Sequence, residues 1–333
     1  MLSEFDLIRR YFTRPASHTV LAVGDDAALA RLGPGMELAA ATDMLVAGVH
    51  FLAGTDPRNL GWKALAVNVS DLAAMAARPR WAMLAIALPA PERDWLAAFA
   101  EGFFDCAQAY GIDLVGGDTT RGPLTIAVTI LGEAPEGQAL RRSGARPGDD
   151  VWISGTPGMA ALALAELRGR VRLDGRTGAS CLAALEHPTP RMELGLVLRD
   201  LATAAIDVSD GLLADLGHVA DRSAIAIEVR DDWLPLAPLA ECTADAALAR
   251  ACLLGGGDDY ELAFTAGRER RSEIATAGQR LGLALTRIGR VTAGPAGNVS
   301  VVDAAGRPLP VQGRGFDHFA AETVPAAPGD HPE

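Results

Sequence analysis

The feature of this sequence that most constrains its fold is an acidic, turn-like pattern that recurs along the chain. In each copy an aspartate stands beside glycine, serine, threonine or a second aspartate, mostly at the end of an apolar run. The six copies are Gly24-Asp25-Asp26, Thr42-Asp43, Ser70-Asp71, Gly116-Gly117-Asp118-Thr119-Thr120-Arg121, Asp207-Val208-Ser209-Asp210-Gly211 and Gly255-Gly256-Gly257-Asp258-Asp259. One such aspartate usually closes a turn or caps a helix. Six copies in one chain instead indicate carboxylates gathered in a cleft.

The order of the periodic segments in the first half predicts an α+β fold. Apolar runs predict strands, and 3.6-residue periodicity predicts helices; the predicted strands are 20–23, 37–42, 81–88, 112–115 and 124–132, and the helices are 3–12, 56–77 and 91–110. Asp56-Pro57 supplies the N-cap and the N1 proline of the long helix. Gly116 and Gly117 predict a sharp turn that leaves Asp118 at the end of a strand.

The second half repeats the mixture of strands and helices after a segment rich in Gly, Pro and Arg, 135–150. Its predicted strands are 151–155, 205–208, 225–229, 260–265 and 284–291, and its helices are 159–168, 191–202, 211–220 and 268–281. Ser209 or Asp210 is expected at the N-terminus of a helix, where free amides attract anions. We predict an N-terminal domain over 1–137, a C-terminal domain over 138–320 and a frayed tail over 321–333.

Composition limits the partners that this chain can have. A net charge of −12 and a pI near 5.0 argue against a general nucleic-acid or anionic-membrane surface. No apolar run approaches the roughly 18 residues that span a bilayer, and the start lacks a signal-peptide hydrophobic region. The four cysteines have no C-x-x-C spacing and are expected to be reduced core residues. A cytoplasmic protein without nucleic-acid or membrane partners is therefore expected.

The aspartates predict metal and phosphate chemistry. Carboxylate oxygens without neighbouring Cys or paired His are hard ligands, suited to Mg²⁺ or Mn²⁺. Several such ions among carboxylates usually bridge phosphate oxygens. The single lysine, Lys63, follows Trp62, which excludes a G-x-x-x-x-G-K-[ST] loop, and the other 29 basic residues are arginine. A nucleotide would have to be held by metal ions, backbone amides and arginine.

Longer motifs carry a resemblance to a known family. They are Gly24-Asp25-Asp26-Ala27-Ala28, Ala41-Thr42-Asp43, Gly48-Val49-His50-Phe51, the segment 63–75, Gly116-Gly117-Asp118-Thr119-Thr120-Arg121-Gly122, Ile206-Asp207-Val208-Ser209-Asp210-Gly211 and Gly257-Asp258-Asp259-Tyr260-Glu261-Leu262. Their order and spacing, from Phe5 to Phe319, resemble the thiamine-monophosphate kinase family of the aminoimidazole-ribonucleotide synthetase superfamily.

The resemblance implies an architecture and a reaction. Two α/β domains are expected, of which the N-terminal one pairs in a homodimer and the C-terminal one closes the ATP cleft. The expected reaction is ATP-dependent phosphorylation of thiamine monophosphate to thiamine diphosphate, by direct in-line transfer of the γ-phosphoryl group assisted by several Mg²⁺ ions.

The resemblance also implies roles for particular residues. The implied catalytic residues are Asp43, Asp71, Asp118, Asp207 and Asp210. The implied magnesium ligands are these five together with Asp26 and Thr42. The implied ATP contacts are Gly117, Asp118, Arg142 and Ser209. The implied thiamine-phosphate contacts are His50, Asp258 and Phe316.

The sequence departs from the family pattern at two positions, and two other functions are considered. Ala41 stands where the family often has a hydroxyl residue, and Asp258 stands where many members have glutamate. Another ATP-dependent synthetase of the superfamily, from the purine pathway, is the enzymatic alternative. A non-catalytic nucleotide sensor is the other, although retention of every acidic turn argues against it.

Overall fold

The computed structural model describes residues 4–311, 313 and 315–319. Its strands form a two-stranded ribbon, a four-stranded sheet and a six-stranded sheet. The strands are β1 (Thr19–Leu21), β2 (Leu29–Ala30), β3 (Met36–Val46), β4 (Arg78–Leu88), β5 (Asp113–Arg121), β6 (Thr125–Pro135), β7 (Asp150–Ser154), β8 (Ala204–Asp207), β9 (Ala226–Arg230), β10 (Leu262–Ala266), β11 (Leu285–Thr292) and β12 (Val299–Val302).

The described part of the chain also contains helices between most of the strands. They are α1 (Glu4–Leu7), which continues as a π-helical turn over Ile8–Phe12, α2 (Pro57–Ala74), α3 (Arg93–Tyr110), α4 (Met159–Leu167), α5 (Gly175–Glu186), α6 (Met192–Leu198), α7 (Leu212–Arg222), α8 (Ala237–Cys242), α9 (Ala246–Gly255) and α10 (Arg271–Leu281). Mixed sheets with packed helices confirm the predicted α+β class.

The four-stranded sheet has the order β3-β6-β4-β5, with β5 parallel to β4 and the other pairs antiparallel. Side chains alternate between its two faces. Those of Leu84 and Val128 are buried in the core beneath α2 and α3, whereas those of Leu38, Met44 and Met83 on the other face are exposed. One face of this sheet is therefore covered by helices, and the other presents apolar side chains to solvent.

Helix α2 is the central element of the molecule, buried along nearly its whole length. Asp56 caps it, since its side chain accepts hydrogen bonds from the backbone of Arg58 and Asn59. α2 and α3 pack at backbone contact because a Cβ on Gly61 or Gly102 would lie 2.0 or 1.8 Å from a carbonyl oxygen of the facing helix. Such close packing fixes the side chains of α2 relative to the sheets.

The six-stranded sheet has the order β12-β9-β11-β7-β10-β8 and is antiparallel except for the β12–β9 pair. Its two faces belong to different hydrophobic cores. Trp152 and Phe264 point into the core that contains α2, α6 and the first sheet. Val151 and Ala263, one residue away, point into a second core with α4, α7 and α9. The predicted domain boundary falls between β6 and β7, so the first core extends across it.

Two predicted strand ends are wrong. β5 runs through Gly116, Gly117 and Asp118 to Arg121, and Asp43 lies inside β3. Gly117 serves a close backbone approach, since a Cβ there would lie 1.8 Å from the Leu84 carbonyl oxygen. Gly117 therefore lets β5 pair with β4, and neither glycine makes a turn.

Other local predictions also differ from the structure. Helix α7 begins at Leu212 with Gly211 as its N-cap, so Ser209 and Asp210 precede it. Helices α5, α8 and α9 and strands β2 and β12 lie where no element was predicted. The four cysteines are free thiols, three of them buried. No helix in the described part of the chain is long and apolar enough to cross a membrane. The predicted tail lies outside the described residues.

Candidate active site

Four of the predicted aspartates meet beside α2. Asp43 comes from β3, Asp71 from the last turns of α2, Asp207 from the end of β8 and Asp210 from the loop that follows. Burial, followed by the charges of Asp207 and Asp210, raises the pKa of Asp43 to about 6. Burial and the charges of Asp207 and Asp43 raise the pKa of Asp71 to about 8. Burial likewise raises the pKa of Asp207. We call these four residues the carboxylate cluster.

Side chains around the carboxylate cluster fix its geometry. Asn68 lies about one turn before Asp71 on α2, and its Oδ1 accepts a hydrogen bond from the Asp43 backbone at 3.1 Å. Its amide nitrogen donates to the Ala64 carbonyl oxygen at 3.1 Å, which holds the side chain in this orientation. The polar face of α2 that carries Asn68 and Asp71 therefore meets strand β3.

Arg142 supplies positive charge to the cluster. It lies between β6 and β7, and its charge lowers the pKa of both Asp71 and Asp207, against the larger effect of burial. The Arg142 carbonyl oxygen accepts a hydrogen bond from the Ser223 hydroxyl at 3.0 Å, which holds the backbone in place. The exposed Arg142 side chain is thus close enough to the carboxylate cluster to act on it electrostatically.

Asp215 organises the loop 209–211, a role that sequence reasoning missed. Its Oδ2 accepts hydrogen bonds from the backbones of Ser209, Asp210 and Gly211 at 3.1, 3.2 and 3.1 Å. Burial and the charge of Asp207 raise its pKa to about 7. The expectation of free anion-binding amides at Ser209 and Asp210 is therefore wrong, because Asp215 occupies them. An acidic residue in the first turn of α7 was the available signal.

The predicted substrate residue Asp258 lies in a strained loop fixed to the same segment. Asp258 donates its backbone N–H to the Ser209 carbonyl oxygen at 2.8 Å, and Tyr260 donates to that of Val208 at 2.9 Å. Asp258 and Tyr260 have φ angles of 65° and 51°, in a region that non-glycine residues seldom adopt. The Asp258 carboxylate accepts a hydrogen bond from the Tyr260 hydroxyl at 3.0 Å and lies 3.0 Å from Lys63 Nζ.

His50 and Phe316 lie on the same side of the molecule as Asp258. His50 Nδ1 accepts a hydrogen bond from the Val46 backbone at 2.9 Å. The His318 ring lies 4.9 Å from that of His50 and 4.7 Å from that of Phe316. Burial, with a further contribution from His318, lowers the pKa of His50, while the charge of Asp258 opposes this change. The structure thus brings the three predicted substrate residues to one region.

The loop 208–210 joins this region to the carboxylate cluster. Phe316 donates its backbone N–H to the Asp210 carbonyl oxygen at 2.9 Å. Asp258 is bonded to the neighbouring Ser209, as described above. The region of His50, Asp258 and Phe316 and the carboxylate cluster therefore share one backbone segment, which places the two regions side by side.

Asp26, Gly117 and Asp118 lie elsewhere. They line a cavity of about 980 Å³ that also borders the open face of the four-stranded sheet at Leu38 and Met83. Gly117 and Asp43 stand three strands apart in one row of the sheet, which corresponds to about 14 Å at the usual strand spacing. Within the described chain the structure does not bring Asp26 and Asp118 into the carboxylate cluster, and their roles stay predictions.

Thr42 points away from the cluster as well. Its hydroxyl donates to the Val128 carbonyl oxygen and lies 3.0 Å from the Thr129 hydroxyl. Successive residues of a strand face opposite sides of the sheet, so Thr42 lies on the open face when Asp43 faces α2. A contact from Thr42 to a metal ion beside Asp43 would need its backbone oxygen.

The oxygen donors of the carboxylate cluster fit a hard cation that is coordinated by both protein carboxylates and phosphate oxygens. No three of the described His, Cys, Asp or Glu side chains converge closely enough to form a complete metal site. Mg²⁺ usually binds through one or two carboxylates and completes its shell with water and substrate phosphates. The carboxylates of Asp43, Asp71, Asp207 and Asp210 are the groups that would hold such a cation.

Comparisons with known proteins agree with this architecture. A family model described as AIR synthase related protein, N-terminal domain, matches residues 24–134. Thiamine-monophosphate kinase from Salmonella typhimurium is 44% identical over 321 residues, which covers 95% of this chain and 98% of the relative. The crystal structure of thiamine-monophosphate kinase from Stenotrophomonas maltophilia has a TM-score of 0.80 at 48% identity and covers 85% of this chain and 91% of that chain.

A structure of AaThiL complexed with AMPPCP and TMP has a TM-score of 0.74 at 32% identity, with 90% of this chain and 92% of that chain covered. The fold and the matching family model define the class: the chain has the AIR synthase-like fold, and residues 24–134 match the AIR synthase related N-terminal domain. Identity over nearly the full length of the curated relatives then specifies the member of that class. The chain belongs to the thiamine-monophosphate kinase family and is a kinase.

Proposed function

We propose that this chain transfers the γ-phosphoryl group of ATP directly to thiamine monophosphate, giving ADP and thiamine diphosphate. The observation that carries the proposal is the shared segment 208–210, which joins the carboxylate cluster to the region of His50, Asp258 and Phe316. One region is suited to metal-bound phosphates, and the other presents a carboxylate and aromatic rings to an organic cation. The names of the matching relatives support the same substrates.

The acceptor explains why no dedicated general base is required. A phosphate monoester loses its second proton near pH 6, so its oxygen is already anionic at neutral pH. In the transfer this oxygen bonds to the γ-phosphorus while the bond from that phosphorus to the ADP oxygen breaks. Catalysis therefore rests on alignment of two anions and on compensation of their charge.

The protein's residues divide these tasks. Asp43, Asp71, Asp207 and Asp210 would hold magnesium ions, which supply charge compensation between the phosphates when bound. Arg142 and Ser209 would contact ATP beside them. The predicted ligands Asp26, Thr42, Gly117 and Asp118 belong to this proposal through the family resemblance, although they lie across the sheet.

His50, Asp258 and Phe316 would bind thiamine monophosphate. The Asp258 carboxylate complements a cationic thiazolium, and the exposed Phe316 ring provides a surface on which an aromatic ring can pack. Asp258 is one methylene shorter than the glutamate found in many family members, and its left-handed backbone brings it within 3.0 Å of Lys63.

We further propose that the chain forms a homodimer through the open face of the four-stranded sheet. Leu38 and Met44 on this face are 51% and 58% exposed, and contiguous exposed apolar surface is typical of an association site. The proposed division into domains at 137/138 and the proposed cytoplasmic location, supported by the four free thiols, complete this description.

Purified protein incubated with MgATP and thiamine monophosphate should produce thiamine diphosphate and ADP in equal amounts. Thiamine as the acceptor serves as the control, because it lacks the anionic phosphate oxygen. Lack of product with thiamine monophosphate would overturn the proposal. ADP formation with the substrate of a purine-pathway synthetase would favour the alternative enzyme, and nucleotide binding without any turnover would favour the sensor.

A further inference from the structure

Lys63 occupies a special place in this molecule. It is the only lysine of the chain, and its side chain on α2 is buried, with the residue 2% exposed. Its Nζ donates a hydrogen bond to the Leu185 carbonyl oxygen at 3.0 Å and lies 3.0 Å from Asp258 Oδ1. Both acceptors belong to segments beyond β7, so the ammonium group joins the central helix to the loop 256–261, which carries Asp258.

The contact fixes a carboxylate whose backbone is strained. Asp258 has a φ of 65°, and such a conformation persists only where surrounding contacts stabilise it. Lys63 and the Tyr260 hydroxyl both contact Asp258 Oδ1 at 3.0 Å. The carboxylate therefore has one oxygen engaged by the protein, and its side chain remains 30% exposed toward the site.

We propose that Lys63 is a positioning residue for the acceptor substrate, which holds Asp258 in the orientation that receives the phosphorylated cation. This inference rests on the proposed function, because it assumes that Asp258 contacts thiamine monophosphate. Lys63 also lies close enough to His50 to act on it electrostatically, as Asp258 does. The ammonium thus belongs to the substrate region, at a position where no role had been predicted.

The chemistry of the position favours lysine over arginine. Every other basic residue of the chain is arginine. An ammonium is compact and directs its donors tetrahedrally, whereas a guanidinium is larger, planar and fork-shaped. At a buried site with two acceptors 3.0 Å from one nitrogen, the guanidinium could not reproduce both contacts without displacing Asp258 or Leu185. We therefore expect Lys63→Arg to fail although it keeps the charge.

The experiment compares Lys63→Met, Lys63→Arg, Asp258→Asn and the double variant Lys63→Met/Asp258→Asn with the wild type. Calorimetry measures the binding of thiamine monophosphate and, separately, of a magnesium-bound non-hydrolysable ATP analogue, and KM and kcat are measured for both substrates. Arg199→Met is the matched control. Arg199 also joins two parts of the first core, since its guanidinium donates to the Ala76 carbonyl oxygen at the end of α2, but it lies outside the site.

We expect Lys63→Met and Lys63→Arg to weaken thiamine-monophosphate binding by roughly tenfold to a hundredfold, the range for loss of a charge-assisted hydrogen bond. ATP-analogue binding should change by less than about twofold. Because Lys63 acts through Asp258, its replacement should add little in the Asp258→Asn background. Arg199→Met should lower the melting temperature without a selective loss of affinity for thiamine monophosphate.

Three results would overturn the inference. A Lys63→Met protein that behaves as Arg199→Met does, with lower stability and unchanged acceptor affinity, makes Lys63 purely structural. Equal weakening of both ligands has the same meaning, and additive effects in the double variant remove the link through Asp258. If the wild type binds thiamine monophosphate and the Lys63 variants bind it equally well, only this inference is rejected. If the wild type does not bind thiamine monophosphate, the proposed function is rejected as well.

Discussion

At the scale of single residues, burial of the Asp71 carboxyl lowers the stability of the folded state. Burial raises its pKa to about 8, so the charged form is less favourable in the folded state than in the unfolded chain. A carboxyl group whose pKa rises on folding lowers stability as the pH rises above its unfolded pKa. At neutral pH the Asp71 carboxyl is therefore mostly protonated in the folded chain, and a bound cation would favour its ionised form.

Asp71→Asn should accordingly separate function from stability. The substitution removes the unfavourable charge, so the melting temperature at pH 8 should stay the same or rise. Turnover should fall by at least about a hundredfold, because a neutral amide would bind the magnesium ions at the phosphates more weakly than a carboxylate does. Asp56→Asn on the same helix is the control, since Asn caps as well as Asp does. Near-normal kcat for Asp71→Asn at saturating Mg²⁺ would remove Asp71 from the metal site.

Arg142→Ala tests the assignment of Arg142 to ATP. Its charge already acts on Asp71 and Asp207 in the absence of ligand. We expect a higher KM for ATP or a lower kcat, with thiamine-monophosphate binding within about twofold of the wild type. Arg141→Ala is a close control, because the neighbouring arginine contributes its backbone oxygen to the Ala205 amide. Selective loss of thiamine-monophosphate affinity would reverse the assignment.

At the scale of elements, the loop 256–261, which carries Asp258, is held by a buried ion pair. Glu261 precedes β10, is 5% exposed at its side chain and accepts two hydrogen bonds from Arg191 at 2.7 and 2.6 Å. The Ser154 hydroxyl donates to the same carboxylate. These contacts join the start of α6, β7 and the start of β10 at a residue three positions after Asp258, so the position of the loop is tied to the second sheet.

Arg191→Met should therefore destabilise the protein strongly. Removal of one partner leaves a buried carboxylate without its counter-charge, which costs about 3–5 kcal/mol in comparable cases. A thermal melt followed by circular dichroism at pH 7.5 should show a clear fall in melting temperature. Arg58→Met, which removes an exposed pair with Asp105, should leave the melting temperature unchanged. Equal, small effects of both substitutions would contradict this account of the loop.

The elements also show what could be predicted from the sequence. The start of helix α2 was predicted correctly because its signals are local: Asp56 caps the helix and Pro57 is its first residue. Its end was predicted three residues too late, at 77. The course of β5 was not predictable, because Gly117 is required by its close approach to the Leu84 carbonyl oxygen on another strand. The roles of Asp215 and Lys63 likewise depend on partners that only the folded chain brings near. Contacts between distant segments were therefore less predictable than local signals such as the α2 cap.

At the scale of the whole molecule, the open face of the four-stranded sheet borders the predicted site residues that lie outside the carboxylate cluster. Asp26 and Asp118 line the cavity bordered by Leu38 and Met83, across the sheet from the carboxylate cluster. A second copy packed on this face would cover the cavity and exclude water from it. Dimer formation would then affect nucleotide binding as well as stability, if Asp118 contacts ATP as the resemblance implies.

Met44→Arg is the direct test of the dimer. Met44 is 58% exposed on β3, so arginine can extend into solvent in an isolated protomer and the fold should be kept. In a dimer, two symmetry-related guanidinium groups would be buried in an apolar interface, which is strongly unfavourable. Sedimentation equilibrium at micromolar concentration should give twice the protomer mass for the wild type and a shift toward the protomer for Met44→Arg. Leu167→Arg, at a 48% exposed position on α4, should leave the mass at that of the dimer. A wild type with the protomer mass, or an intact dimer of the Met44→Arg protein, would show that this face is not the interface.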